Sequence, residues 1–205
     1  MNHLGLIDKL KNDYFALRHG QSQPNVLGIV LSDLEDGKKE EYTLTKEGEG
    51  QVQISVKKAR EEELLGSDTI IYSSPFSRAK KTAEIAKEVL GVEAEIIFDD
   101  RLRERWFGDW EKTDNTAYEK IWKEDKVNPE HKEKNVESAV DVQKRITSLI
   151  TDLEQKYIGK NILLVSHGDT LQILQTGFLK ISAAEHREVP HLHTAEIRKL
   201  NNINK

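Results

Sequence analysis

The chain of 205 residues contains no cysteine, which excludes a disulfide framework, a thiolate zinc site and a cysteine nucleophile. Excess positive charge is also missing. The 31 lysines and arginines stand against 36 aspartates and glutamates, a formal net charge of −5. No global basic field therefore recruits nucleic acid or an anionic membrane, and any anion must be held by a local cluster of arginine and histidine. Small anionic molecules fit this balance better than polymers. Between Met1 and Lys11, charges interrupt the few apolar residues. Neither a signal peptide nor a spanning helix is expected there, and the cytoplasm is the expected location. A repeat of fixed period and a low-complexity linker are missing too, so residues 1–205 are expected to form a single domain.

What is present is a succession of short apolar runs rich in isoleucine, leucine and valine, a regularity that disordered chains lack. Runs at 14–17, 69–72, 95–98, 161–166 and 194–200 predict strands. The run at 161–166 is uninterrupted, which implies cover on both faces of the sheet. Helical spacing predicts helices over 46–65, with Thr43 or Thr45 as cap, and through Ala79, Ala83, Ala86 and Leu90 until Gly91. A short helix is expected at 116–125, a longer one from Ser138 along Val142, Ile146, Leu149, Ile150 and Leu153, and two more at 171–179 and 182–188. Residues 4–12 read as a surface lead-in, 21–31 and 33–41 as loops, and 126–137 as a polar surface run. Strand and helix alternate, so the class is α/β with a largely parallel sheet.

Three strand ends carry chemistry. The first delivers Arg18, His19 and Gly20, and the fourth delivers His167 and Gly168, so that two histidines can share one sheet edge. The second ends in Ser73-Ser74-Pro75-Phe76-Ser77-Arg78, read as a cap, a proline in the first turn and then a helix, which puts Arg78 near free N–H groups that favour an anion. Glu104 lies in a loop of mixed charges and aromatics, 101–111, whose composition suits cover over a pocket. An arginine offers a planar fork suited to phosphate.

Six motifs fall in order. They are Leu17-Arg18-His19-Gly20 with Asn25; Leu44-Thr45 with Gly48 and Gln51; Tyr72-Ser73-Ser74-Pro75 with Arg78 and Thr82-Ala83; Leu102 and Glu104 with Phe107-Gly108 and Trp110-Glu111; Glu137-Ser138; and Val165-Ser166-His167-Gly168. Together they resemble the histidine phosphatase superfamily, the group that includes cofactor-dependent phosphoglycerate mutases and many small-molecule phosphatases. The resemblance runs from Phe15 to about Leu200 and implies a three-layer α/β/α sandwich. It also implies a phosphomonoesterase acting on a small phosphorylated metabolite, with no metal and no cofactor. In that scheme His19 attacks phosphorus and carries a transient phosphohistidine, Arg18, Arg78 and His167 hold the phosphoryl oxygens, and Glu104 moves the proton. Gln21, Ser22, Asn25, Gly168, His191 and His193 are the expected substrate-binding residues.

Two departures stand out: Gln21 where the family often has an acid, and Lys112 where glycine commonly follows Trp-Glu. The segment between Glu111 and Glu137 is short compared with the mutases, which favours hydrolysis over return of the phosphoryl group. A mutase remains the second enzymatic reading. A phosphate-ligand binding module without turnover is a third. A hydrolytic metal site built from His191, His193, His167 and Asp169 is a fourth, although it leaves Arg18, Arg78 and Glu104 without a role.

Overall fold

The computed structural model describes residues 2–203; Met1, Asn204 and Lys205, which the single-domain expectation includes, lie outside them. Five strands form one sheet: β1 (Asp13–Arg18), β2 (Ile70–Ser73), β3 (Ile97–Phe98), β4 (Asn161–Ser166) and β5 (Ile197–Lys199), in the order β3-β2-β4-β1-β5. β4 lies parallel to both β1 and β2, β3 is parallel to β2, and only β5 runs antiparallel, along β1. The register pairs Arg18 with Ser166 and Ser73 with Val165, so β1, β2 and β4 end at one edge.

Helices cover both faces. Seven are found among the described residues: α1 (Gln23–Leu27), α2 (Leu34–Gly37), α3 (Lys46–Glu61), α4 (Ser77–Leu90), α5 (Ala117–Val127), α6 (Ala139–Lys156) and α7 (Gly168–Phe178). Alternation along the strands builds the two cores. Phe15, Leu17, Ile71, Leu163 and Val165 pack against Val52, Val56, Ala83 and Ala86 of α3 and α4. The intervening residues Tyr14, Ala16, Tyr72, Ile162 and Leu164 pack against Ile146, Ile150, Leu171 and Leu174 of α6 and α7. The result is the expected three-layer α/β/α sandwich, and the unbroken run of β4 is buried on both sides.

Several local expectations are corrected. The stretch 21–31 is not all loop, because Pro24 falls in the first turn of α1, where a missing N–H costs nothing, and Ser22 and Asn25 cap that turn through Asn25 Oδ1. Residues 33–41 hold α2, capped by Asp33, and a 3₁₀ turn, Glu40–Tyr42. Gly37 lies so close under Phe76 that a Cβ would sit 2.5 Å from its ring. The lead-in is anchored, since Leu4 is buried against α6 and α7. Pro75 precedes α4, whose N-cap is Phe76. The polar run at 126–137 buries Val136 and His131, and the 3₁₀ turn Ala183–Glu188, read as a polar helix, buries His186 completely. β3 and β5 are each shorter than expected because both lie at sheet edges with pairing on one side only.

Candidate active site

The parallel register places His19 and His167 side by side, with ring centroids 5.1 Å apart. The turn after His19 needs glycine: a Cβ on Gly20 would meet the carbonyl oxygen of Gly48 at 2.4 Å. This close approach seats β1 on the first turn of α3, whose cap Thr45 accepts from Gly48 N at 3.0 Å. Gly20 N in turn reaches Thr82 Oγ1 at 3.3 Å.

His19 Nδ1 lies 2.8 Å from the carbonyl of Gly20. A carbonyl only accepts, so Nδ1 carries the hydrogen and Nε2 presents a lone pair. That lone pair receives Arg78 Nε at 3.2 Å. Burial, and then the charges of Arg78 and Arg18, hold the His19 pKa well below 6.5. The ring is neutral at neutral pH.

Arg78 donates through Nη2 to Leu31 O at 2.9 Å. Arg18 donates through Nη1 to Leu192 O at 2.8 Å and to His191 Nε2 at 2.7 Å. Among the described residues neither guanidinium has a carboxylate within ion-pair distance, and Arg18 Nε, Arg78 Nη1 and His167 Nδ1 are buried without a partner. Burial lowers the Arg78 pKa to about 10. Buried cations without counter-ions are costly, so this arrangement is complete only with an anion between them. His167 is held through Nε2 to Ser74 Oγ at 2.8 Å, and burial and then Arg78 push its pKa well below 6.5.

Glu104 faces this cluster. One oxygen, Oε1, accepts from Arg105 N at 2.8 Å, Thr170 N at 3.2 Å and Thr170 Oγ1 at 3.1 Å, while Oε2 has no partner among the described residues. No arginine side chain lies within ion-pair distance of Glu104 among the described residues. Burial first, and then the charge of Asp169, raise its pKa, against those hydrogen bonds and Arg78. A raised carboxyl can carry a proton to spend in a reaction.

Arg18, His19, Arg78 and Glu104 line a cavity of about 200 Å³ together with Ser22, Asn25, Gly168 and His191, while His167, wholly buried, lies behind the lining against His19. Gln21 and His193, also expected there, are not in its lining. The Gln21 side chain accepts from Thr45 Oγ1 at 2.8 Å, because the chain after Gly20 turns towards α3. His193 is exposed, and its N–H closes a turn onto Glu196 at 2.8 Å. The metal arrangement is not assembled: no group of three or more such ligands is found among the described residues, His167 is committed to Ser74, and Asp169 accepts from Arg105 and Trp122. A roomier hollow of about 530 Å³ lies at the other end of the sheet, between Asp13, Asn161 and Phe178. It gathers lysines but no histidine, so size does not mark the reactive site here.

The residues not foreseen come chiefly from α5. Tyr118 and Trp122, one turn apart, stack at 5.5 Å and line the cavity with Asn115 and Ile29. Their i, i+4 spacing was visible; their target was not. Behind them Arg105, wholly buried, holds both oxygens of Asp125 at 2.6 and 2.7 Å and reaches Asp169 at 3.2 Å. Lys112, at the position where the family pattern has glycine, adopts φ 60.

The sandwich and its paired strand-end histidines define a phosphoglycerate mutase-like fold, and comparison with known proteins agrees. The chain belongs to the histidine phosphatase superfamily (branch 1), whose family model matches residues 14–204. It is 30% identical over 165 residues to a candidate phosphoserine phosphatase 2 of Hydrogenobacter thermophilus, covering 78% of this chain and 75% of that one. It is 32% identical over 179 residues to a probable phosphoglycerate mutase, GpmB, of Escherichia coli, covering 84% and 78%. Among solved structures, a mycobacterial glucosyl-3-phosphoglycerate phosphatase superposes with a TM-score of 0.72 at 26% identity, over 90% of this chain and 87% of the other. No helix among the described residues is long and apolar enough to cross a membrane.

Proposed function

We propose that the protein is a metal-independent phosphomonoesterase that works through a phosphohistidine on His19. The observation that carries this reading is a pair of guanidiniums, the buried Arg78 and the half-buried Arg18, with no carboxylate partner among the described residues, beside a neutral histidine that lines the cavity. In the first displacement Nε2 bonds to phosphorus as the ester P–O bond breaks, and Glu104 gives its proton to the departing alkoxide. Arg18, Arg78 and His167 carry the charge of the phosphoryl oxygens as they transfer, and Asn25 adds a hydrogen bond from its free amide. In the second displacement water bonds to phosphorus, the Nε2–P bond breaks, and the Glu104 carboxylate takes the proton of the water. His191, neutral and bonded to Arg18, steadies the guanidinium.

Hydrolysis of p-nitrophenyl phosphate in excess chelator is the direct test. Wild type turns over and His19→Ala does not; a wild type revived only by a divalent ion contradicts the mechanism. The identity to a probable mutase sustains a second reading, separated by product: a mutase returns an isomerised phosphate ester, and a hydrolase releases inorganic phosphate. Binding of phosphate with no turnover of any ester would leave only the binding module. The proposal places the enzyme in the cytoplasm as one folded domain, which fractionation and a single cooperative unfolding transition check.

A further inference from the structure

The cavity is electrically lopsided. Its phosphoryl end holds Arg18 and Arg78, and among the described residues they are the only lysine or arginine residues in its lining. The rest of the lining, against which the leaving group of an ester must lie, includes Pro24, Ile29, Asn115, Tyr118, Trp122 and Asp169. Of these, the one charged member is an acid. Asp169 accepts from Trp122 Nε1 at 2.8 Å and from Arg105 Nη1 at 3.2 Å; burial opposes its charge, but Arg105 and His186 hold its pKa below the ordinary value. Arg187 lies over the indole of Trp122 at 3.7 Å, outside the lining, and donates to Gln172. His191 does not supply a cation, because its Nε2 accepts from Arg18.

A leaving group that carries a carboxylate or a second phosphate would lose its water against apolar and aromatic side chains and face Asp169 and Glu104 with no cation to meet it. An uncharged apolar group would instead bury area against Ile29 and the two aromatic rings. The rings are held in place for this: Tyr118 is edge-on to Phe107 at 4.8 Å and stacked on Trp122 at 5.5 Å, and Trp122 is tied to Asp169.

Resting on the phosphomonoesterase reading, we propose that the site selects esters with an uncharged, apolar leaving group, and that α5 with Asn115 is the specificity wall. Phosphoglycerate-type acids are then poor substrates.

The experiment compares kcat/KM for 2-phenylethyl phosphate and 3-phosphoglycerate, which both release unactivated alkoxides, so that leaving-group chemistry is not the variable. The expected preference for the phenylethyl ester is about tenfold or more. Trp122→Ala should reduce that preference by about tenfold. Asn115→Arg, at an exposed position, should raise kcat/KM for 3-phosphoglycerate and narrow the ratio from the other side. Equal rates, or a preference for the acid, overturn the selectivity while leaving the hydrolase intact. A preference unmoved by either variant overturns the role of α5. Failure to hydrolyse either ester and p-nitrophenyl phosphate as well overturns the reading beneath the proposal.

Discussion

Arg78 Nε points at Nε2 of His19 from 3.2 Å, the nitrogen that the mechanism assigns to phosphorus. The arginine thus guards the lone pair in the free protein and must hand it over when an ester binds, turning its fork to the phosphoryl oxygens. A guanidinium so placed is kept for the ligand, and its burial without a carboxylate is a cost to the fold.

Arg78→Met should therefore move activity and stability in opposite directions. Turnover should fall by about 10²–10³-fold, as for loss of one donor to a developing charge, while Tm rises because an unpaired buried cation is gone. Initial rates and thermal melts of the same preparation read both. A fall in Tm would mean that Arg78 holds the fold together through Leu31 and not the substrate.

Glu104→Gln removes the proton that the leaving group needs. Because the carboxyl is raised by burial and Asp169, the wild type should lose activity on alkyl esters as pH rises through that elevated value, and the variant should lack this limb. Slowing should be greater for alkyl than for p-nitrophenyl esters, whose phenolate departs without help. Equal slowing of the two contradicts the acid role.

Acid should weaken the fold before its carboxylates titrate. His19 and His167 are held well below 6.5 and His191 at about 4, burial being the first cause in each. The unfolded chain takes up a proton on each near about pH 6.5, the folded chain only at lower pH, so between those values the unfolded state binds more protons and stability falls as pH falls. Tm should drop steadily from neutral pH to about pH 5, and His167→Gln should flatten the drop. A Tm that is level over this range contradicts the buried neutral histidines.

Asp125→Ala leaves Arg105 buried beside Asp169 alone. Breaking one partner of a buried pair costs about 3–5 kcal/mol, so denaturant melts should show a loss of that order. Activity measured well below the new melting point should change less than in the Glu104 variant, since Arg105 meets Glu104 only through its backbone N–H. An unaltered midpoint would show that the Arg105–Asp125 pair contributes nothing.

The strand-end residues were legible because a parallel sheet turns chain position into place. Once 14–17 and 161–166 read as buried strands, Arg18, His19 and His167 had to meet at one edge, and Arg78 followed from β2. The leaving-group wall was hidden, because the stack of Tyr118 on Trp122 and its tie to Asp169 join segments 47 residues apart that no periodicity links. The same holds for Arg105 with Asp125, one in the covering loop and one at the end of the short helix expected at 116–125, which bury each other across segments that no periodicity links. Gln21 misled through its neighbours: adjacent to the reactive turn in sequence, it belongs to the seam with α3. In α1 the misreading was local, since Pro24 breaks a helix interior but opens a first turn.

The central claim is that His19 becomes phosphorylated. Rapid acid-free quenching of the enzyme with ³²P-labelled ester, followed by peptide mapping, tests it most directly. The account predicts acid-labile label on the peptide containing His19, absent from His19→Ala and accumulating further in Glu104→Gln when the ester carries a good leaving group. A turning-over wild type that never acquires label, with chelator present throughout, contradicts it.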